Sequence, residues 1–148
     1  MTKVFALRTT IDLDAPPAEV WRVLTDSAAY PEWNPFIFSL TGELAVGSTV
    51  STRIRDTKGK ERTFTPKVLV VEPDRELTWL SRVGFGGLFD GKHTYRLEDQ
   101  PGARTRLIHD EEFRGIAVPF LHSMLRTTIE PQFVAMNHAL AARLASDV

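Results

Sequence analysis

Two histidines and a glutamate in the last third of the chain are the residues whose types and spacing could do chemistry. His93 stands in Gly91-Lys92-His93-Thr94-Tyr95, and His109 and Glu111 stand two apart in Leu107-Ile108-His109-Asp110-Glu111. The two segments flank Asp99-Gln100-Pro101-Gly102, a turn sequence, so they read as the arms of an antiparallel hairpin. Centring the turn between Gln100 and Gly102 makes Tyr95 face Leu107, His93 face His109 and Gly91 face Glu111. Side chains alternate along strands, so all six share one side, together with Phe113. Lys92, Arg96, Arg104, Arg106, Asp110 and Glu112 take the other side, which belongs in water. A slip of one residue would bury that charged set instead.

An inward-facing His–His–Glu group has several uses. Each such group left without a partner costs about 1–3 kcal/mol on burial. The three could orient a bound molecule. They could equally bond one another, nearby backbone and water. His93, His109 and Glu111 are also the candidate catalytic residues, because histidine titrates near neutrality and a His–Glu pair suits general acid–base work. A two-histidine, one-carboxylate metal site needs tight convergence of all three. No metal and no other cofactor is expected.

Aromatic residues form the second constellation. Trp33, Phe36, Phe64, Trp79, Phe85, Phe89, Tyr95, Phe113, Phe120 and Phe133 are spread over many elements. Singly each suits a plain core; together they supply more ring surface than a filled core needs, as the walls of a binding pocket do. The expected ligand-binding set is Trp33, Phe36, Phe64, Trp79, Phe89, His93, Tyr95, His109, Glu111, Phe113, Phe120 and Met124. Gly84-Phe85-Gly86-Gly87 lacks the Lys-Ser/Thr of a phosphate loop, so it reads as a flexible rim with Phe85 and Leu88 as lid side chains. Gly115 to Phe120 reads as the other rim. Arg53, Arg55, Lys58, Lys60 and Arg62 cluster on one hairpin, the pattern of a solvated edge strand. No serine stands in a nucleophile-elbow sequence.

The elements that must position these residues alternate in period. Val4 to Leu13 carries Phe5, Leu7, Thr9, Ile11 and Leu13 at period two, a strand. Asp14-Ala15-Pro16-Pro17 then reads as a helix start, with Asp14 able to cap. Val20, Trp21, Val23 and Leu24 give a short amphipathic helix, and Pro31 and Pro35 break the segment after it. Strands follow over Phe36–Leu40, Thr49–Asp56, Thr63–Val71, Glu76–Val83, Leu88–Glu98 and Arg104–Phe113, joined by short turns as an antiparallel meander. From Phe120 to Leu144 apolar residues recur at three- and four-residue steps, predicting a long amphipathic helix that Pro131 should kink. The fold class is α+β: a curved antiparallel seven-stranded sheet wrapped around the long C-terminal helix, with short helical segments after the first strand. Space left between sheet and helix would be the pocket.

The whole chain of 148 residues has the size of one domain, spanning 1–148. Apolar residues make up 43% and charged residues 25%, with a formal net charge of −1. That balance offers nothing to nucleic acid or to anionic lipid. There is no cysteine, so disulfides and thiol catalysis are excluded. No apolar stretch approaches the ~20 residues that span a bilayer, and the start lacks a signal-peptide pattern, so a cytoplasmic protein without membrane insertion is expected.

Several local motifs and the order of elements resemble the START-like, helix-grip (SRPBCC) superfamily, in particular its polyketide cyclase/dehydrase and lipid-transport members. The resemblance is carried by Ile11-Asp12-Leu13-Asp14-Ala15-Pro16-Pro17-Ala18-Glu19-Val20-Trp21 and by Tyr30-Pro31-Glu32-Trp33-Asn34-Pro35-Phe36. It continues in Glu76-Leu77-Thr78-Trp79-Leu80, Gly91-Lys92-His93-Thr94-Tyr95 and Thr105-Arg106-Leu107-Ile108-His109. It implies a helix-grip fold and binding of a small hydrophobic molecule (a lipid, polyketide or aromatic compound) by a monomer or homodimer. The same resemblance admits a cofactor-independent cyclase or dehydratase that uses the pocket His/Glu, and a co-chaperone-like interaction module with a filled interior and an exposed apolar patch.

Overall fold

A computed structural model describes residues 4–146. The order of elements is β1 (Val4–Leu13), α1 (Pro17–Thr25), a 3-10 turn (Ser27–Ala29), α2 (Tyr30–Trp33), β2 (Ile37–Thr41), β3 (Ser51–Arg55), β4 (Glu61–Phe64), β5 (Lys67–Glu72), β6 (Glu76–Val83), β7 (Phe89–Gln100) and β8 (Arg104–Arg114). A 3-10 turn (Val118–Phe120), α3 (His122–Met124), a π-helical turn (Leu125–Ile129) and α4 (Glu130–Ser146) complete the chain. Pro17 occupies the first turn of α1, where its missing N–H is harmless, and the helix starts without a side-chain cap, so Asp14 does not take that role.

The strands form two sheets rather than the single seven-stranded sheet expected from sequence. One has five strands in the order β1-β8-β7-β6-β5, the other three in the order β2-β3-β4. The extra strand arises because the run Thr63–Val71 is cut at Pro66. Proline has no N–H to give to a ladder, so it interrupts pairing inside a sheet. The chain leaves one sheet at Phe64 and enters the other at Lys67. The Pro66 carbonyl accepts from Val50 N–H at 3.0 Å, and an isolated bridge joins Thr49 to Lys67, so the sheets stay in contact at the break.

The β7–β8 hairpin carries the His–His–Glu group, and its register differs from the sequence expectation by two residues. Gln100 pairs with Arg104 around a three-residue turn in which Gly102 and Ala103 both have positive φ, 83° and 57°. The turn is therefore centred one residue later than expected. Tyr95 pairs with His109, His93 with Glu111 and Gly91 with Phe113. An even shift preserves parity, so the group still shares the inner face. On the outer face Asp110 is buried rather than solvated, held by Arg8 Nε at 3.2 Å and Nη2 at 3.1 Å.

The C-terminal run is not one continuous α-helix. The turn at Leu125–Ile129 is π-helical and ends two residues before Pro131. Proline can neither donate to the carbonyl four residues back nor tolerate its ring against it, and a wider turn relieves both. Beyond it, Phe133, Met136, Leu140 and Leu144 are the buried stripe of α4 and pack on the concave face of the five-stranded sheet.

Candidate functional site

The centre of the sheet meets α4 ring to ring. His109 stacks on Phe133 with centroids 4.3 Å apart and planes 6° from parallel. His93 lies 5.0 Å from Phe133, 4.8 Å from Tyr95 and 5.4 Å from Trp79. Phe36, from the segment before β2, reaches Phe133 at 5.4 Å. The open space expected between sheet and helix is thus occupied at its centre by the chain's own rings.

A chain of polar contacts threads these rings, hydrogen-bonded from His93 to Thr9 and met at its other end by the Glu111 carboxylate at ion-pair distance. Glu111 Oε1 stands 3.3 Å from His93 Nδ1. His93 Nε2 and His109 Nε2 are 2.7 Å apart, and His109 Nδ1 is 2.8 Å from Asn137 Oδ1 on α4. Asn137 Nδ2 donates to Thr9 Oγ1 at 2.9 Å, and that hydroxyl donates to the His109 carbonyl at 2.9 Å. Burial pushes the His109 pKa well below the ordinary histidine value, and His93 beside it adds to the effect; the bond to Asn137 opposes both. The Tyr95 hydroxyl donates to Met136 Sδ at 3.4 Å, and burial raises the Tyr95 pKa well above that of a free phenol. With the two Nε2 atoms pointed at each other, no ion fits between the rings, and no group of three or more acidic, histidine or cysteine residues able to hold a metal occurs among the described residues.

Glu111 is the end of this chain that approaches solvent, its side chain 14% exposed. A Cβ on Gly91 would collide with Glu111 Oε2 and stand 3.6 Å from the Phe113 ring. The bare strand at Gly91 is what lets the carboxylate lie down against His93. Phe89 and Phe113 pack 5.5 Å apart at the same end of the sheet. Beyond them the two rims are stitched together: Ile116 N–H donates to the Gly87 carbonyl and Ala117 N–H to that of Leu88, both at 3.0 Å. Apolar side chains stand out here, with Phe85 63%, Ile116 68% and Phe120 87% exposed.

The remaining expected site residues scatter. Trp33 is half-buried edge-on to Tyr30 and lines a shallow concavity of about 350 Å3 with Pro31, Phe38 and Arg55. Its indole N–H finds no acceptor among the described residues. Phe64 is half-buried opposite Thr52 in the three-stranded sheet, away from the hairpin. Phe120 and Met124, which the periodicity put on the buried stripe, point outward, Met124 38% exposed. The 3-10 turn presents Val118 inward, and Leu125 takes the next buried place. A larger groove of about 780 Å3 at the far end, lined by Pro16, Asp74, Arg75, Glu76, Arg96 and Glu98 among others, does not touch the hydrogen-bonded group.

Sequence reasoning missed Gly91, Asn137 and Thr9 as members of the group. Asn137 was legible as a polar residue beside Met136 on an otherwise apolar helix face, and Gly91 as a glycine inside a strand, which marks a close approach.

A five-stranded antiparallel sheet gripping a C-terminal helix, with a polar group at the heart of the grip, defines the helix-grip class of fold. The profile of the family described as "Polyketide cyclase / dehydrase and lipid transport" matches residues 4–145, and the chain belongs to that family. Among solved structures it is similar to the Zhui aromatase/cyclase from Streptomyces sp. R1128, at TM-score 0.77 and 19% identity over 97% of this chain and 94% of that one. It is likewise similar to a START superfamily protein from Mycobacterium smegmatis, at TM-score 0.74 and 17% identity over 97% and 99%. Norcoclaurine synthase of Thalictrum flavum, in complex with a transition-state analogue, gives TM-score 0.75 and 13% identity over 99% and 98%. At these identities the likeness is one of fold. No curated protein matches the chain in sequence. Among the described residues no helix is long and apolar enough to cross a membrane.

Proposed function

We propose that this protein binds a small, mostly apolar molecule, a lipid, polyketide or aromatic compound, at the rim end of the space between sheet and C-terminal helical run, with the molecule's polar atom at Glu111. The reading keeps the cytoplasmic monomer or homodimer suggested by the sequence. The observation that carries it is the partly exposed Glu111 carboxylate, backed by a fully bonded buried chain and flanked by Phe89 and Phe113. A plain core would not bury two histidines and an asparagine where leucines would serve, since each must find partners to avoid a penalty of about 1–3 kcal/mol.

The same hydrogen-bonded group supports the cyclase or dehydratase alternative, because a carboxylate on a histidine is the arrangement of a general acid–base pair. The exposed Phe85, Ile116 and Phe120 beside a ring-filled centre favour the interaction-module alternative. Titration with the fluorescent apolar probe 8-anilinonaphthalene-1-sulfonate separates binding from interaction. Phe89→Ala, at the inner wall, should weaken probe affinity several-fold with an unchanged circular dichroism spectrum. Undiminished affinity in a folded Phe89→Ala protein, with loss only on Phe85→Ala or Phe120→Ala, would put the probe on the outer surface and sink the pocket reading.

A further inference from the structure

The basic hairpin of β3 and β4 holds its cations in two different ways. On the strand, Arg53 and Arg55 stand two apart and so share one face. Their guanidinium carbons lie 4.9 and 4.5 Å from the centroid of the Phe38 ring, which sits at the register shift between Ile37 and Ser39. One carboxylate serves both: Glu61 accepts from Arg53 Nη2 at 3.1 Å and from Arg55 Nη2 at 3.3 Å. A guanidinium has five N–H donors, so most of them stay available, and the face keeps a positive charge. Arg55 is also pinned along the backbone. Its N–H donates to the Phe36 carbonyl at 2.9 Å, and its carbonyl accepts from Gln132 Nε2 of α4 at 2.6 Å. Guanidiniums ordered in this way have already lost much of the freedom that binding would otherwise remove. At the turn, Lys58 and Lys60 are exposed and have no acid at ion-pair distance among the described residues. Asp56 turns its carboxylate onto the loop's own backbone, accepting from the N–H groups of Lys58 at 2.8 Å and Lys60 at 2.9 Å.

Arg55 and Phe38 are also walls of the concavity of about 350 Å3 that holds Trp33, Pro31 and Pro35. The acid on that wall, Glu32, is neutralised by Arg143 at 3.1 Å. The Trp33 indole N–H has no acceptor among the described residues, so turning the ring toward an incoming carbonyl breaks no hydrogen bond. We propose that this face docks a short acidic peptide segment carrying one apolar side chain. The apolar side chain enters the concavity beside Trp33 and Phe38. Carboxylates on either side of it meet Arg53 and Arg55 on the strand and Lys58 and Lys60 at the turn, as acidic motifs meet arginine clusters. Four cations against Asp56 and Glu61 leave the face at +2, on a chain whose formal net charge is −1. Arg62 pairs with Ile54 and belongs to the other face. Single-stranded nucleic acid fits less well. Its bases need ring faces to stack on, whereas Phe38 is taken by guanidiniums and Trp33 is half-buried edge-on to Tyr30. The site is separate from the small-molecule reading and does not rest on it.

Fluorescence anisotropy of the fluorescein-labelled peptide Gly-Asp-Glu-Phe-Asp-Glu-Gly tests the proposal. The peptide should bind wild-type protein at low ionic strength, and more weakly as salt is added. The same peptide with serine in place of phenylalanine should bind roughly tenfold more weakly, through loss of the buried ring. Lys58→Glu combined with Lys60→Glu, in an exposed turn, should weaken the phenylalanine peptide roughly tenfold. Arg53→Gln removes one outward guanidinium and should weaken it about threefold, which keeps the test standing if circular dichroism shows the turn variant unfolded. On titration, amide resonances should shift at 31–38 and 53–61. No binding to wild type at low salt, equal affinity for the serine peptide, unchanged affinity in the folded variants, or shifts centred on the rim would each overturn the proposal. A labelled oligothymidylate that binds wild type more tightly than the peptide would overturn it in favour of nucleic acid.

Discussion

The middle of the five-stranded sheet and its rim end are built from similar residues and treated in opposite ways. In the middle, Tyr95, His93, His109 and Phe133 are buried against one another, with every ring nitrogen placed on a partner. At the rim, Phe85, Ile116 and Phe120 face outward on two loops tied by only a few backbone bonds. Burial and bonding density are what tell a rigid support from a region free to admit a partner. The difference makes the middle a closely packed support beneath Glu111 and leaves apolar side chains of the rim uncovered.

That contrast can be broken first at Phe133. Phe133→Ala removes a fully buried ring stacked on His109 and should cost about 3–5 kcal/mol. Urea unfolding measures it; a loss below about 1 kcal/mol would show the middle to be loosely packed. A smaller effect sharpens the picture through pH. The folded pKa of His109 lies well below its unfolded value of 6.5, so in between the unfolded chain binds a proton that the folded one refuses. The stabilisation is complete above pH 6.5 and is lost as pH falls below it, at up to about 1.4 kcal/mol per pH unit. Unfolding free energies between pH 7.5 and 5 should show that slope, and His109→Gln should flatten it. An unchanged slope in His109→Gln would place its origin elsewhere. The smallest effect belongs to the rim: Phe120→Ser should change stability by no more than about 0.5 kcal/mol. A larger loss on urea unfolding would mean that the ring is covered in solution.

The inner face of the hairpin was legible in the sequence because parity survives an error in the turn centre. The pairing itself was not, since Ala103 in the left-handed region lengthens the turn, and nothing about alanine announces that. Pro66 was visible, but its effect depends on a second sheet being there to receive β5, which local pattern does not encode. Phe120 and Met124 were misplaced because a three- and four-residue repeat assumes an unbroken α-helix, whereas the chain passes through a 3-10 and a π turn. Glu111 and both histidines were found from residue type and parity. Asn137 and Thr9 were not, because their part is defined by donors and acceptors meeting across elements far apart in sequence.

The wide turn at Leu125–Ile129 amounts to one surplus residue in the helical ladder. Each residue in an α-helix advances the facing by about 100°. A π turn takes up the surplus residue within the one turn, so the segments on either side keep nearly the facing they would have in an unbroken α-helix. Removing one codon among positions 126–129 would return the turn to ordinary spacing and leave Leu125 inward and Met124 outward, whereas the same deletion within α4 would turn everything before it by about 100°.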